Sequence, residues 1–166
     1  RLITHPYGLE FMKLAIERAV LLRALAHVQS VVERRNTIPI LSNVRLEASD
    51  NSLRLTATDM DMDIVESVDC NVATDGTLTV PAHTLHDIIR KLPDGSEVSL
   101  EASGEGGRVA VTSGRSSFTL PSLPADEFPS MSGEDMPHRF VLAAVDAKSM
   151  IDRTRFAISS EETRYY

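Results

Sequence analysis

Asp59, Asp61 and Asp63 alternate with Met60 and Met62, and carboxylates so grouped could surround a hard cation. A helix–loop–helix calcium loop would need a glycine at its sixth position and a bidentate glutamate at its twelfth. Those positions hold Ile64 and Cys70, so a strand face is the better reading. His83 and His86 stand three apart, a helical spacing that could pair two imidazoles, but no third ligand follows at metal-site spacing. Gly104–Gly107 lacks the Lys-Ser/Thr of a phosphate-binding loop and reads as a hairpin turn. No nucleophile stands in a context that would activate it, and the sequence predicts no catalytic residue, metal or cofactor.

Arginines carry more. Arg34 and Arg35 end a helical stretch on a loop that runs into Thr37-Ile38-Pro39, where guanidinium groups could reach phosphates. The chain as a whole has a net charge of -7, which by itself argues against nucleic acid. That charge is unevenly spread. The predicted helical stretches 17–35, 83–92 and 146–155 hold nine Lys/Arg against five Asp/Glu, whereas the rest holds eight against nineteen. Arg18, Arg23, His83, Arg90, Lys148 and Arg153 therefore join Arg34 and Arg35 as candidate nucleic-acid contacts. A solvated basic helix face is the competing explanation.

The elements that hold these residues repeat. Leu14, Ile16, Leu21 and Leu25 share their offsets with Leu78, Val80, Leu85 and Ile89, and again with Phe140, Leu142, Ala147 and Ile151; the units start 64 and then 62 residues apart. The first pair of each set lies on one strand face and the second on one helix face. The pattern predicts a strand at 13–17, a helix at 18–33, and strands at 38–48, 53–58 and 60–68. In the last of these Met60, Met62 and Ile64 would share the buried face. The second unit predicts a strand at 77–81, a helix at 82–92 and strands at 97–102, 108–112 and 116–120. The proline-rich stretch 122–137 reads as a linker and 138–166 as the cut start of a second domain, with 1–11 an N-terminal extension. The fold class is α+β with antiparallel sheets. The lone Cys70 and the lack of a long apolar run make a cytoplasmic location the default.

Several segments, in order, resemble the bacterial sliding clamp family, the beta subunit of the replicative DNA polymerase. They are Thr37-Ile38-Pro39-Ile40-Leu41-Ser42-Asn43, Leu55-Thr56-Ala57-Thr58-Asp59, Val80-Pro81-Ala82, Ser113-Gly114-Arg115-Ser116-Ser117-Phe118, Leu123-Pro124-Ala125-Asp126-Glu127-Phe128-Pro129 and Arg164-Tyr165-Tyr166. The resemblance implies a DNA-clamp fold, in which duplicated β-α-β-β-β units put helices on the DNA channel and sheets outside. It implies a non-catalytic processivity subunit of a DNA-directed DNA polymerase, in which a homodimer closes into a ring around duplex DNA and recruits polymerase and clamp loader. By the same resemblance Arg35 is a DNA-touching loop residue, with Asn36 replacing the family's usual proline. Glu161 stands where the family has a glutamine, so that second loop contact is not carried over. Ile88, Leu92, Arg115 and Phe118 match the ring interface, and Arg164 and Tyr166 the edge of the partner-peptide pocket. An α+β enzyme or small-molecule-binding domain is the alternative.

Overall fold

In the computed structural model, residues 11–33, 37–103, 107–129, 138 and 140–158 are described. The chain divides into two compact units, Arg1–Ser132 and Gly133–Tyr166. In the first unit the order is β1 (Phe11–Glu17), α1 (Arg18–Val28), β2 (Asn43–Ser49), β3 (Ser52–Thr58), β4 (Asp63–Asp69) and β5 (Asn71–Thr74). It continues with β6 (Gly76–Pro81), α2 (Ala82–Lys91), β7 (Glu97–Ser103), β8 (Arg108–Ser113) and β9 (Ser116–Pro121).

Every strand pairing is antiparallel. One sheet runs β5-β1-β7-β8-β9 and the other β4-β3-β2-β6. The duplicated unit is thus present twice, and the halves exchange first strands: β1 pairs with β7 of the second half, and β6 with β2 of the first. Neither half can complete its sheet alone. Leu14, Leu21 and Leu25 of the first repeat and Leu78, Leu85 and Ile89 of the second are all buried in one shared core with Leu46, Leu55 and Leu100. Each such side chain contributes about 1.5–3 kcal/mol.

Local chemistry sets the boundaries. The two-residue turn between β2 and β3 places Asp50 and Asn51 at φ +49° and +57°, the conformation of a type I′ hairpin, in which Asn and Asp are favoured. α1 is shorter than the predicted 18–33: the Ser30 hydroxyl donates to the His27 carbonyl at 2.7 Å, and Gln29–Val31 tightens into a 3-10 turn. The strand expected from residue 38 begins instead at Asn43, because Pro39 starts a 3-10 turn over Pro39–Ser42.

The expected strand at 60–68 is also corrected. Asp59 Oδ1 accepts from the backbone N–H of Asp61 and Met62 (3.0 and 2.7 Å), and the Thr58 hydroxyl donates to the Met62 carbonyl. This side-chain turn puts Met60 at φ +77° and leaves Met60 and Met62 both 58% exposed, so β4 starts only at Asp63. Strand β5 was not foreseen; it is four residues long with Val72 alone half-buried, too short to show an alternation.

Residues 122–129, expected to open a linker, belong to the first unit. The Thr79 hydroxyl donates to the Leu123 carbonyl at 2.8 Å, and Phe128 packs with Ile40 and Leu41. In the second unit the helix α3 spans Ala144–Thr154. The strand expected at Phe140 and Leu142 does not form, since no partner strand flanks it among the described residues, and Phe140 is exposed.

Candidate nucleic-acid interface

α1 and α2 pack against each other, and contacts at both ends fix their direction. Arg18, the first residue of α1, reaches the last turn of α2: Nε donates to the Ile89 carbonyl at 3.1 Å and a terminal nitrogen to the Arg90 carbonyl at 2.8 Å. The other terminal nitrogen pairs with Asp94. His83, in the first turn of α2, reaches the end of α1, with Nε2 2.8 Å from the Val32 carbonyl and Nδ1 3.2 Å from Gln29 Oε1. The helices are therefore antiparallel. Apolar positions 21, 25, 85 and 89 face the core, so the opposite faces meet solvent.

On that outer side Arg23, Arg90 and Lys91 are exposed. Arg90 shares a 3.4 Å ion pair with Asp87 one turn back, an exposed contact worth little and easily exchanged for a phosphate. Arg23 has no ion-pair partner among the described residues. It lines a cleft together with Val20, Ala24 and Val68 and with Glu66 and Asp69 of β4. His27 Nδ1 stands 3.3 Å from Glu66. Positive charge on the helices thus gives way to carboxylates at the sheet edge, within about one Debye length.

Two of the expected contact residues are engaged inside the fold. The Arg18 side chain is 13% exposed and its donors serve α2. Both ring nitrogens of His83 face acceptors inside the fold, so neither residue offers a free group to phosphate. Lys91 was missed. The signal was its place beside Arg90 in a last helical turn, where a cation is favoured by the helix dipole. In the second unit Lys148 is tied to Asp152, while Arg153 is exposed. Arg34, Arg35, Asn36, Glu161, Arg164 and Tyr166 lie outside the described residues.

Of the residues matched to a ring interface, Arg115 is exposed in the β8–β9 turn, and Phe118 is 39% exposed on β9, which closes one edge of its sheet. Ile88 is half-buried against the core. Leu92 is 6% exposed and belongs to that core. Burial pushes the Cys70 thiol up from its ordinary value and the Asp69 carboxylate adds to the effect, so the thiolate is disfavoured.

The family described as "DNA polymerase III beta subunit, N-terminal domain" matches residues 12–132. The beta sliding clamp of Caulobacter vibrioides is 55% identical over 155 residues, which are 93% of this chain and 42% of that protein. The beta sliding clamp of Escherichia coli K12 is 38% identical over 156 residues, with the same two shares. A crystal structure of the DNA polymerase sliding clamp from Caulobacter crescentus superposes with a TM-score of 0.87 at 55% identity, again over 93% of this chain and 42% of that one. The chain spans less than half the length of these relatives. With most of its residues matched, the chain belongs to the DNA polymerase III beta subunit family.

Proposed function

We propose that this chain is the N-terminal part of a non-catalytic sliding clamp, which as a homodimeric ring encircles duplex DNA and tethers a replicative polymerase after a clamp loader opens it. Residues 12–121 form the first clamp domain, 122–137 connect it onward and 138–166 begin the second. The observation that carries the reading is the exposure of Arg23, Arg90 and Lys91 on two antiparallel helices whose other faces are locked in the core. Cations on a smooth helical surface meet phosphates without reading bases, which suits a ring that slides. The acidic edge at Glu66 and Asp69 disfavours DNA on the sheet side. Among the described residues no helix is long and apolar enough to cross a membrane, and the reading puts the protein in the cytoplasm.

The test uses the full-length protein, loaded onto nicked circular DNA and passed over a sizing column. Retention on circles and release after linearisation is the expected result; equal retention on both forms would overturn topological binding. A narrower expectation concerns Arg35. Arg35→Ala removes one phosphate contact and should weaken affinity for short duplex about eightfold near 0.1 M salt. A residue that acts through phosphate contact, as proposed for Arg35, should move stability by less than about 0.5 kcal/mol when truncated. Unchanged affinity would remove Arg35 from the DNA surface.

A further inference from the structure

We propose that Arg18 and His83 are positioning residues for the DNA-facing helices, two reciprocal clasps that hold α1 and α2 in one relative placement. The proposal rests on the DNA-binding reading above and adds to it two residues that touch no DNA. Each clasp starts in the first turn of one helix: Arg18 reaches the last carbonyls of α2, and His83 reaches the 3-10 turn and Val32 that follow α1. At one end, the Arg18 guanidinium spans the Ile89 and Arg90 carbonyls and the Asp94 carboxylate, while its backbone N–H donates to Ser96 at 2.9 Å. At the other, the His83 ring spans the Val32 carbonyl and the Gln29 side chain.

The chemistry at the Arg18 end is specific. The last carbonyls of a helix have no partner within it and carry the negative end of its dipole. Here they belong to the same turn as Arg90 and Lys91, so the turn that presents the cations also presents its own opposing charge. Arg18 covers those carbonyls. Its planar fork donates in three directions at once, which a lysine ammonium on a flexible stem cannot reproduce. The charge at position 18 is thereby spent inside the protein, and its effect on DNA passes through the placement of Arg90 and Lys91. Arg23 stands at the middle of α1, more than a turn from Arg18, so the clasp governs the two cations of the last turn of α2, Arg90 and Lys91. His83 needs only a donor at the position of Nε2, which a glutamine amide supplies and an alanine does not.

The experiment measures affinity of the full-length protein for a short labelled duplex, below each variant's unfolding temperature, together with amide hydrogen exchange at residues 90–92. Arg18→Lys should bind about fivefold more weakly, a loss of the order of one phosphate contact, and exchange faster at 90–92. In a background carrying Arg90→Ala and Lys91→Ala, Arg18→Lys should cost no further affinity. His83→Ala should weaken binding, and His83→Gln should restore it. Parental affinity in Arg18→Lys would instead mean that charge alone matters and that Arg18 meets phosphate directly. A loss that persists in the double-alanine background would mean independent action, and a lower unfolding midpoint with unchanged affinity would reduce the clasp to a stabilising contact. Each of these overturns the proposal while leaving the DNA reading intact. Failure of the parent itself to bind duplex would sink both.

Discussion

Gly76→Ala should destabilise the first unit by about 3 kcal/mol and lower its melting temperature by roughly 10 °C, although it adds only one methyl group. Gly76 opens β6 and pairs with Ala48 of β2. A Cβ built there would lie 1.8 Å from the Phe11 carbonyl oxygen and 2.9 Å from its carbonyl carbon. Both are backbone atoms of β1, so no rotamer change can relieve the contact. The strand itself must move, and β1 is paired along its whole length to β7. Gly76 marks the place where a strand of one sheet passes a strand of the other, at the exchange that joins the two halves. Gly95→Ala is the matching control: nothing lies within 4 Å, and its φ of +72° costs a side chain only about 1 kcal/mol. Thermal and urea melts of both variants decide the matter. A Gly76→Ala protein that melts within about 2 °C of the parent would show that β1 yields at Phe11.

The sequence spoke most clearly where one periodicity held for a whole element. Leu14, Ile16, Leu21 and Leu25 announced the first strand–helix unit, and Leu78 to Ile89 the second, because burial on a single face leaves a period that chain neighbours share. It spoke least where side chains bond to nearby backbone. Met60 and Met62 alternate as a strand would, yet the Asp59 carboxylate and the Thr58 hydroxyl take the local N–H and carbonyl groups and turn both methionines outward. Hydropathy does not register that competition. The third copy of the pattern, at Phe140 and Leu142, keeps the hydrophobic spacing without a strand among the described residues, since spacing alone does not supply the neighbour that pairing requires. The basic surface was legible in outline and misassigned in detail. Arg18 and Arg23 look alike in sequence, but only a three-dimensional view shows Arg18 folded onto the carbonyls of a helix about seventy residues away.

Leu92→Asp and Phe118→Asp should fail in different ways, and the difference tests the ring interface proposed from family resemblance. Leu92 terminates α2 with its backbone N–H on the Ile89 carbonyl and its side chain in the main core. A carboxylate there forfeits the apolar burial and must be solvated by distorting the core, for about 4 kcal/mol or more, a large share of a domain's typical 5–15 kcal/mol. The expected product is a poorly folded chain with early urea unfolding, not a well-folded monomer. Phe118 stands on the outer strand β9, 39% exposed, with Arg115 at the adjoining turn. An exposed edge strand carrying an aromatic side chain invites pairing with another sheet, and a partner subunit that covers it would bury the ring. Phe118→Asp should therefore leave the urea midpoint of the first unit nearly unchanged while converting the full-length protein from dimer to monomer in light scattering. Ring opening should follow, with loss of retention on nicked circles at unchanged affinity for short duplex. A dimer that survives Phe118→Asp would move the interface away from β9. Well-folded monomers from Leu92→Asp would place Leu92 at a surface after all, against its burial here.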